Sequence, residues 1–434
     1  MTTALLKAST LVVMPSDSSG EPVLTSARNI EVSGAPDFSD TYDSIERNVN
    51  RQAFSTYAPL RGLETTSASI TVELHGSGEC NKAPESALLY KAVFGALIGP
   101  VAGDPWENVD DTLSTTTSSA LVVGDYVQEP GTSPEIYKVT IPVSSTTGFQ
   151  VGFPLRIHSA GVIKTIGFIV SITDGTSLEI ITENNAAISS GDTVDCGYLF
   201  SLKNLDQSQV LATPEVNADY FRGDITKEHW TGLSGTSMEI DFSTGQICLP
   251  AFSFEGAEIG YDSVAFSPAS YTGINTTFDS ENTSPLVVQL ADIFMINQSS
   301  NEYFQECISN IQLNITNEVF KKQCIATTGI GEVIRTSRAC TGSLNTFYTN
   351  KDFQVAFKND TQYTLRGIFN YAKSLDANGT KVFDTTSGNI VAISIPQLKF
   401  SDVSVAEESG IFKYTSSFSC EPNTGDDELL LAFL

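Results

Sequence analysis

Basic residues are scarce. Lys and Arg number 24 against 51 Asp and Glu, a formal charge of −27. A chain so short of cations cannot neutralise a phosphate backbone, which excludes nucleic-acid binding as its main activity. Confinement of DNA without adhesion stays open, because like charges on a wall repel phosphates and leave the polymer free to slide. Histidine is nearly missing. The three present, His75, His158 and His229, are scattered, and none has metal-protease spacing or a spaced cysteine pair beside it. Each reads as structural or solvated, so no metal and no cofactor are expected. The 7 cysteines are odd in number and far apart, which argues against a disulfide framework and for reduced thiols in a cytosolic protein. No apolar run approaches the ~18 residues of a membrane span. The start, MTTALLKASTLVVMP, lacks a basic region followed by a long apolar core, so no signal peptide is expected. No nucleophile elbow or phosphate loop occurs, and the glycines of GIGE at 329–332 have no lysine after them. The chain is therefore not read as an enzyme.

What is present points to β structure. Thr, Ser, Val, Ile and Phe are prominent, and leucine-rich helical periodicity is rare. Hydrophobic residues make up 41%, enough for packed cores, and 434 residues suggest two to four domains at about 100–200 residues each. In SASITVELHGSG, Ile70, Val72 and Leu74 alternate with Thr71, Glu73 and His75, which predicts a half-buried strand. Leu88, Leu89, Ala92, Val93, Ala96 and Leu97 recur at helical spacing after Pro84 and Glu85, which predicts a short helix over 84–97.

The chain then repeats itself. ICLPAFSFEGAEI at 247–259 parallels ISIPQLKFSDVSV at 393–405, with Ile247, Pro250 and Phe254 set against Ile393, Pro396 and Phe400. NIEV at 29–32 parallels NIQLNI at 310–315, and SITVEL at 69–74 parallels SLNTFY at 343–348. Asn350 caps a predicted second helix that holds Phe353, Ala356 and Phe357. The order predicts an internal duplication. The first copy is longer, and short alternating strands with Gly, Ser and Asn turns place a small inserted β-barrel or sandwich at 107–197, as an outward decoration. The expected domains are 1–106 with 198–265, the insert 107–197, and 266–434. The polar stretches Ser33–Leu60 and Asn317–Arg338 read as long loops. Asp426, Asp427 and Glu428 read as a solvated turn, and Leu429–Leu434 as a segment that docks on its own domain or on a neighbour.

GLSGTSMEIDFSTGQICLPAFSFEGAEI at 232–259 resembles the strand-turn-strand signature of phage tail tube proteins. The resemblance spans about 1–106 and 198–265, and more weakly 266–425, where DTTSGNIVAISIPQLKF departs from the form that ends in glycine. It implies a mainly β fold: two tandem tube domains, each a β-sandwich or barrel with a short α-helix, plus the inserted β domain. It implies rings joined by sheet edges and stacked into the tail tube that conducts the genome during ejection. A duplicated chain would need three copies for a pseudo-six-fold ring. Implied partners are other copies of the chain, the tape measure protein and the tail-tip and terminator proteins, with DNA only in transit and no membrane. The implied location is the virion tail, after assembly in the host cytoplasm. An acidic lumen would be lined by Glu73, Glu239, Asp241, Glu255 and Asp402. The cations Arg47, Arg51, Lys321, Lys322 and Arg335 would make contacts between subunits and rings. Glu239 and Asp241, read on their own, share one strand face opposite Met238, Ile240 and Phe242, and suit a solvated acidic face better than a catalytic pair. A rival reading is a bacterial surface adhesin or layer protein built of β-sandwiches. A polysaccharide-active β-sandwich enzyme would require a groove with paired carboxylates.

Overall fold

The computed structural model describes residues 9–16, 22–46, 58–79, 82–100, 111–129, 135–202, 215–223, 225–256, 258–271, 285–289, 291–300, 302–304, 308–323, 330–347, 352–375, 381–384, 388–408, 410–423 and 427–434. In chain order the first part holds β1 (Thr10–Pro15), β2 (Arg28–Ile30), β3 (Asp37–Ile45), β4 (Leu60–Thr71), α1 (Ala87–Phe94) and β5 (Ala96–Gly99). Next come β6 (Asp111–Thr112), β7 (Ser114–Thr116), β8 (Val127–Gln128), β9 (Tyr137–Pro142), β10 (Pro154–Ser159), β11 (Val162–Thr173), β12 (Ser177–Thr182) and β13 (Thr193–Asp195). The chain returns through β14 (Tyr198–Ser201), β15 (Glu215–Arg222), β16 (Thr226–Ser243), β17 (Ala251–Gly256) and β18 (Glu258–Asp262). The last part holds β19 (Asp292–Asn297), β20 (Tyr303–Phe304), β21 (Ile308–Gln323), β22 (Ile330–Phe347), α2 (Asp352–Lys358), β23 (Gln362–Phe369), β24 (Ala372–Leu375), β25 (Lys381–Phe383), β26 (Val391–Glu408), β27 (Ile411–Glu421) and β28 (Leu430–Phe433). The fold is mainly β, and both expected helices form, but α1 is shorter than the expected 84–97, because Ala96 and Leu97 belong to β5; Asn350, the expected cap of α2, lies outside the described residues.

Two strand systems have the same topology. In the first, β2, β1, β15, β16, β17, β4 and β3 lie side by side; in the second, β20, β19, β23, β26, β27, β22 and β21 do. The match extends to irregularities. On β16 the register with β15 jumps from Val216↔Leu233 to Ala218↔Trp230, and on β26 the register with β23 jumps from Tyr363↔Leu398 to Leu365↔Ile395. A second bulge falls between Gly235 and Ser237 on β16, and between Phe400 and Asp402 on β26. Extra residues bend a strand and sharpen its twist. The bulges let β16 and β26 each serve two layers, with a core between them.

This correspondence corrects part of the sequence reading. SITVEL and SLNTFY are true counterparts, since Ser69 and Ser343 both face the serine of the same neighbouring strand, Ser253 and Ser417. The proline-centred pair is not. ICLPAFSF leads into β17, whereas ISIPQLKF lies in β26, which corresponds to β16. NIQLNI lies in β21, whose counterpart is β3 and not the NIEV strand. Alternating apolar residues with one proline mark any core-facing strand, so the pattern matched across adjacent strands.

Helix α1 packs so closely on the first bulge that a Cβ on Gly235 would stand 2.7 Å from the Ala92 carbonyl oxygen and 2.7 Å from Val93 Cγ2. The second half fills that place with Phe400, whose ring meets Phe353 of α2 at 5.4 Å. The C-terminal apolar segment docks inside the chain. β28 sits between β14 and β26, with Leu431 opposite both Phe200 and Ile393. Phe433 packs on Tyr90 of α1 at 5.4 Å. The preceding turn is not simply solvated: Asp427 accepts the Asn423 N–H at 2.8 Å, and both Glu428 oxygens lie 3.0 Å from Arg338 Nη2. Asp426 lies outside the described residues.

Strands β7 to β13 form a separate seven-stranded antiparallel sheet, which curls so that Thr117 bridges back to Val143. It is more than an outward decoration. Its core, with Ile157, Phe168 and Ile180, continues into Phe294, Ile368, Ala392 and Leu430 of the second half. A buried ionic group ties its strands: Arg156 Nε reaches Asp195 at 2.7 Å, and His158 Nε2 reaches the other Asp195 oxygen at 2.8 Å.

Candidate lining and assembly surface

The strands that carry the candidate acids build one continuous antiparallel layer. In spatial order it runs β3, β4, β17, the outer part of β16, β21, β22, β27 and the outer part of β26. The junction between the two halves is the β16–β21 pair, from Ser237↔Thr316 to Ser243↔Asn310. One face of the layer is core. Ile70, Phe252, Phe254, Met238, Ile240, Phe242, Leu313 and Leu344 are all buried. Period-two alternation puts their neighbours on the opposite face. These are short and polar: Ser67, Ser69 and Thr71; Ser253; Asn310, Gln312 and Asn314; Thr341, Ser343 and Asn345; Thr415, Ser417 and Ser419.

Four of the five predicted acids stand on that polar face. Glu239 and Asp241 are exposed on β16, Glu255 is half-buried on β17, and Asp402 is exposed on β26. Glu73 follows two residues beyond β4, half-buried, with the same alternation. Sequence reasoning missed Asp37, exposed on β3 opposite Ser69, because its strand was read as loop. Lys413 shares the face, with Nζ 5.2 Å from the Phe347 ring. Glu239 and Asp241 do not pair as an acid–base couple. Gln312 Nε2 donates to Glu239, Asn310 Nδ2 donates to Asp241, and Ser243 Oγ donates to Asp241 at 2.9 Å. Amides of the second half thus bind acids of the first across the junction.

The two long polar stretches hold strand where loop was expected. β3 lies within the first and β4 begins at its end, with 47–57 outside the described residues, and β21 and β22 account for most of the second. Arg47 and Arg51 lie outside the described residues. Lys321 and Lys322 are on β21, opposite Val333 and Glu332. Arg335 is on β22, and its Nη2 donates to the Ala92 carbonyl of α1 at 2.9 Å. Burial first, then the nearby Arg338 charge, pulls its guanidinium down to about 10. Its contact is therefore between the two halves of one chain. Sequence reading took charged, β-branched hairpin tips for loops because neither strand reads as cleanly alternating there.

The histidines are engaged in structural bonds. His158 is paired with Asp195, His229 Nδ1 bonds Asp219, and His75 Nδ1 lies 3.0 Å from the Gly76 carbonyl. Cys196, Cys248, Cys340 and Cys420 are buried free thiols. Among the described residues no cluster of His, Cys, Asp and Glu could hold a metal ion, and no helix is long and apolar enough to cross a membrane.

No protein with a curated description matches the sequence. The family profile described as phage tail tube protein matches residues 7–398, nearly the whole length. The two-layered β architecture, the duplicated strand order and that match agree: the chain belongs to the phage tail tube protein family and is a structural protein.

Proposed function

We propose that the protein polymerises as stacked rings into the phage tail tube and that its polar layer faces the lumen through which the genome leaves. The observation that carries this reading is the continuous layer itself: one face is core, and the other holds short polar side chains with Asp37, Glu239, Asp241, Glu255 and Asp402. A wall of this kind offers DNA no cationic grip over most of its width, and its carboxylates repel phosphates. Ser, Thr, Asn and Gln fill most of the remaining positions. In this reading three chains form a pseudo-six-fold ring, with domains 1–106 plus 198–265 and 266–434 as its repeating units and 107–197 on its outside. The tape measure protein would occupy the lumen before DNA, tip and terminator proteins would bound the tube, and assembly would take place in the host cytoplasm.

Negative-stain electron microscopy of the purified protein at rising concentration tests this directly. Hollow, evenly striated tubes are expected, with end-on views of three-fold symmetry. Single dispersed chains at every concentration would count against the tube, and rings of six chains would count against the trimer.

A further inference from the structure

We propose that successive chains join through β3 of one copy and the outer part of β26 of the next, in the register that already joins the two halves of a single chain. The proposal rests on the tube reading above and names the surface that would close the ring.

Inside the chain, β16 offers its outer edge to β21. The register is Ser237↔Thr316, Met238↔Ile315, Glu239↔Asn314, Ile240↔Leu313 and Asp241↔Gln312. The counterpart of β16 is β26, and the counterpart of β21 is β3. Among the described residues both counterparts have an open side. Pairing of β26 with β23 ends at Gln362↔Lys399, so along Phe400–Glu408 only β27 lies beside it among the described residues. Pairing of β3 is with β4 alone among the described residues. The two kinds of edge that meet in the middle of the chain are the two left over at the ends of its layer.

Transposing the register through the matched bulges places Asp402 opposite Thr41, Val403 opposite Asp40, Ser404 opposite Ser39, Val405 opposite Phe38, and Ala406 opposite Asp37. The chemistry of the Val405–Phe38 pair fits, whereas Asp40, opposite Val403, takes the place of buried Ile315. Val405 and Phe38 stand where Ile240 and Leu313 stand, both nearly sealed from solvent at 1% exposure. Val405 is 39% exposed, and Phe38 is half-buried, so the joint would cover apolar surface now open. No two like charges face each other directly. The Thr244 N–H donates to Ser309 O at 3.1 Å, which fixes the alternation along the internal joint. By that alternation the backbone groups of Val403 and Val405 point to the open side. Unpaired edges of this length invite uncontrolled association. Asp37, Asp40 and Asp43 along β3 and Glu407 on β26 oppose it until the matching edge arrives.

The occupant is a second copy of this chain because no other strand would reproduce both the bulge and the register. Each chain has one internal joint and one open edge of each kind. Three chains then set six equivalent joints in a closed wall.

Paired cysteines test the register. Ser39 and Ser404 would be a non-hydrogen-bonded pair with Cα atoms about 4.5 Å apart, within disulfide reach. Ser39→Cys/Ser404→Cys, assembled into tubes and mildly oxidised, is expected to give bands on a non-reducing gel that end at three chains. Each single variant and the off-register pair Ser39→Cys/Ala406→Cys should stay monomeric. Val405→Pro, which removes one outward N–H, should leave the melting curve near that of the parent and abolish rings. Tubes that form without cross-links, or that cross-link off-register, overturn this joint and leave the tube reading intact. A covalent ladder beyond three overturns the closed ring of three. Absence of tubes at every concentration overturns the tube reading, and the joint with it.

Discussion

Asn317, on β21 of the second half, holds two carbonyls of the first half at once: its Nδ2 donates to Val93 O at the end of α1 and to Gly235 O at the β16 bulge, each at 3.0 Å. The side chain is buried, so it fixes helix, bulge and junction in one place. Asn317→Ala leaves both oxygens in a dry site, at about 1–3 kcal/mol each for an unmade bond. Urea denaturation is expected to show a loss of about 2 kcal/mol or more. A change below 0.5 kcal/mol would mean that the halves are held together without this residue.

Asp195 anchors the inserted barrel. Burial alone raises its carboxyl, but the bond from His158, the Arg156 guanidinium and the Gly197 N–H outweigh it and hold it below the usual carboxylate range. A depressed acid contributes stability that is fully present above its unfolded value, about 3.9, and is lost as pH falls through the lower folded value. Asp195→Asn leaves Arg156 buried without its counter-charge, at about 3–5 kcal/mol. The gap between parent and variant in thermal melts should be widest above about pH 4 and should narrow in more acid solution.

Arg366 presents the opposite case. It is buried on β23, its Nε and Nη1 have no hydrogen-bond partner among the described residues, and its guanidinium carbon lies 5.5 Å from the Phe168 ring centre. Burial pulls its pKa down to about 10. Replacing an uncompensated buried cation with an apolar side chain of similar length relieves that cost. Arg366→Met is expected to raise stability by about 1–2 kcal/mol in guanidinium titrations. A clear loss instead would show that the contact with the Phe168 ring and the packing of the side chain outweigh the cost of its burial.

The acids on the polar face are tested by reversing their sign. Glu239→Lys/Asp241→Lys changes exposed side chains, so folding should move by no more than about 0.5–1 kcal/mol. In phage carrying the variant, DNA ejection is expected to slow several-fold at low salt and to recover as salt rises, because cations would now hold phosphates. Ejection at the parental rate at low salt would place these residues outside the lumen.

Much of the fold was legible in the sequence, and the limits have physical causes. Ile70, Val72 and Leu74 alternate cleanly, and Leu88, Leu89, Ala92 and Val93 keep helical spacing, so the end of β4 and the body of α1 were readable from local pattern, although Val72 and Leu74 lie just past the strand. The acids were readable too, since Glu239 and Asp241 share a parity opposite Met238 and Ile240. Strand correspondence was not readable: Pro250 and Pro396 sit in strands that are neighbours in the repeat, not equivalents, and only pairing partners separate the two. The hairpin arms around Asp40 and Lys321 were lost for another reason. Away from a core both faces of a strand can be polar, and alternation vanishes.

The β16–β21 junction has a kinetic consequence. Two edges on one chain meet without any collision between molecules, because the chain between them holds both at a high effective concentration. A ring of six separate domains would need six bimolecular contacts, each limited by how many subunits the infected cell contains. In the proposed ring of three chains, fusing the domains in pairs makes half of the joints before any two chains meet. The concentration at which rings first appear would then fall well below that of an unfused relative with the same edges.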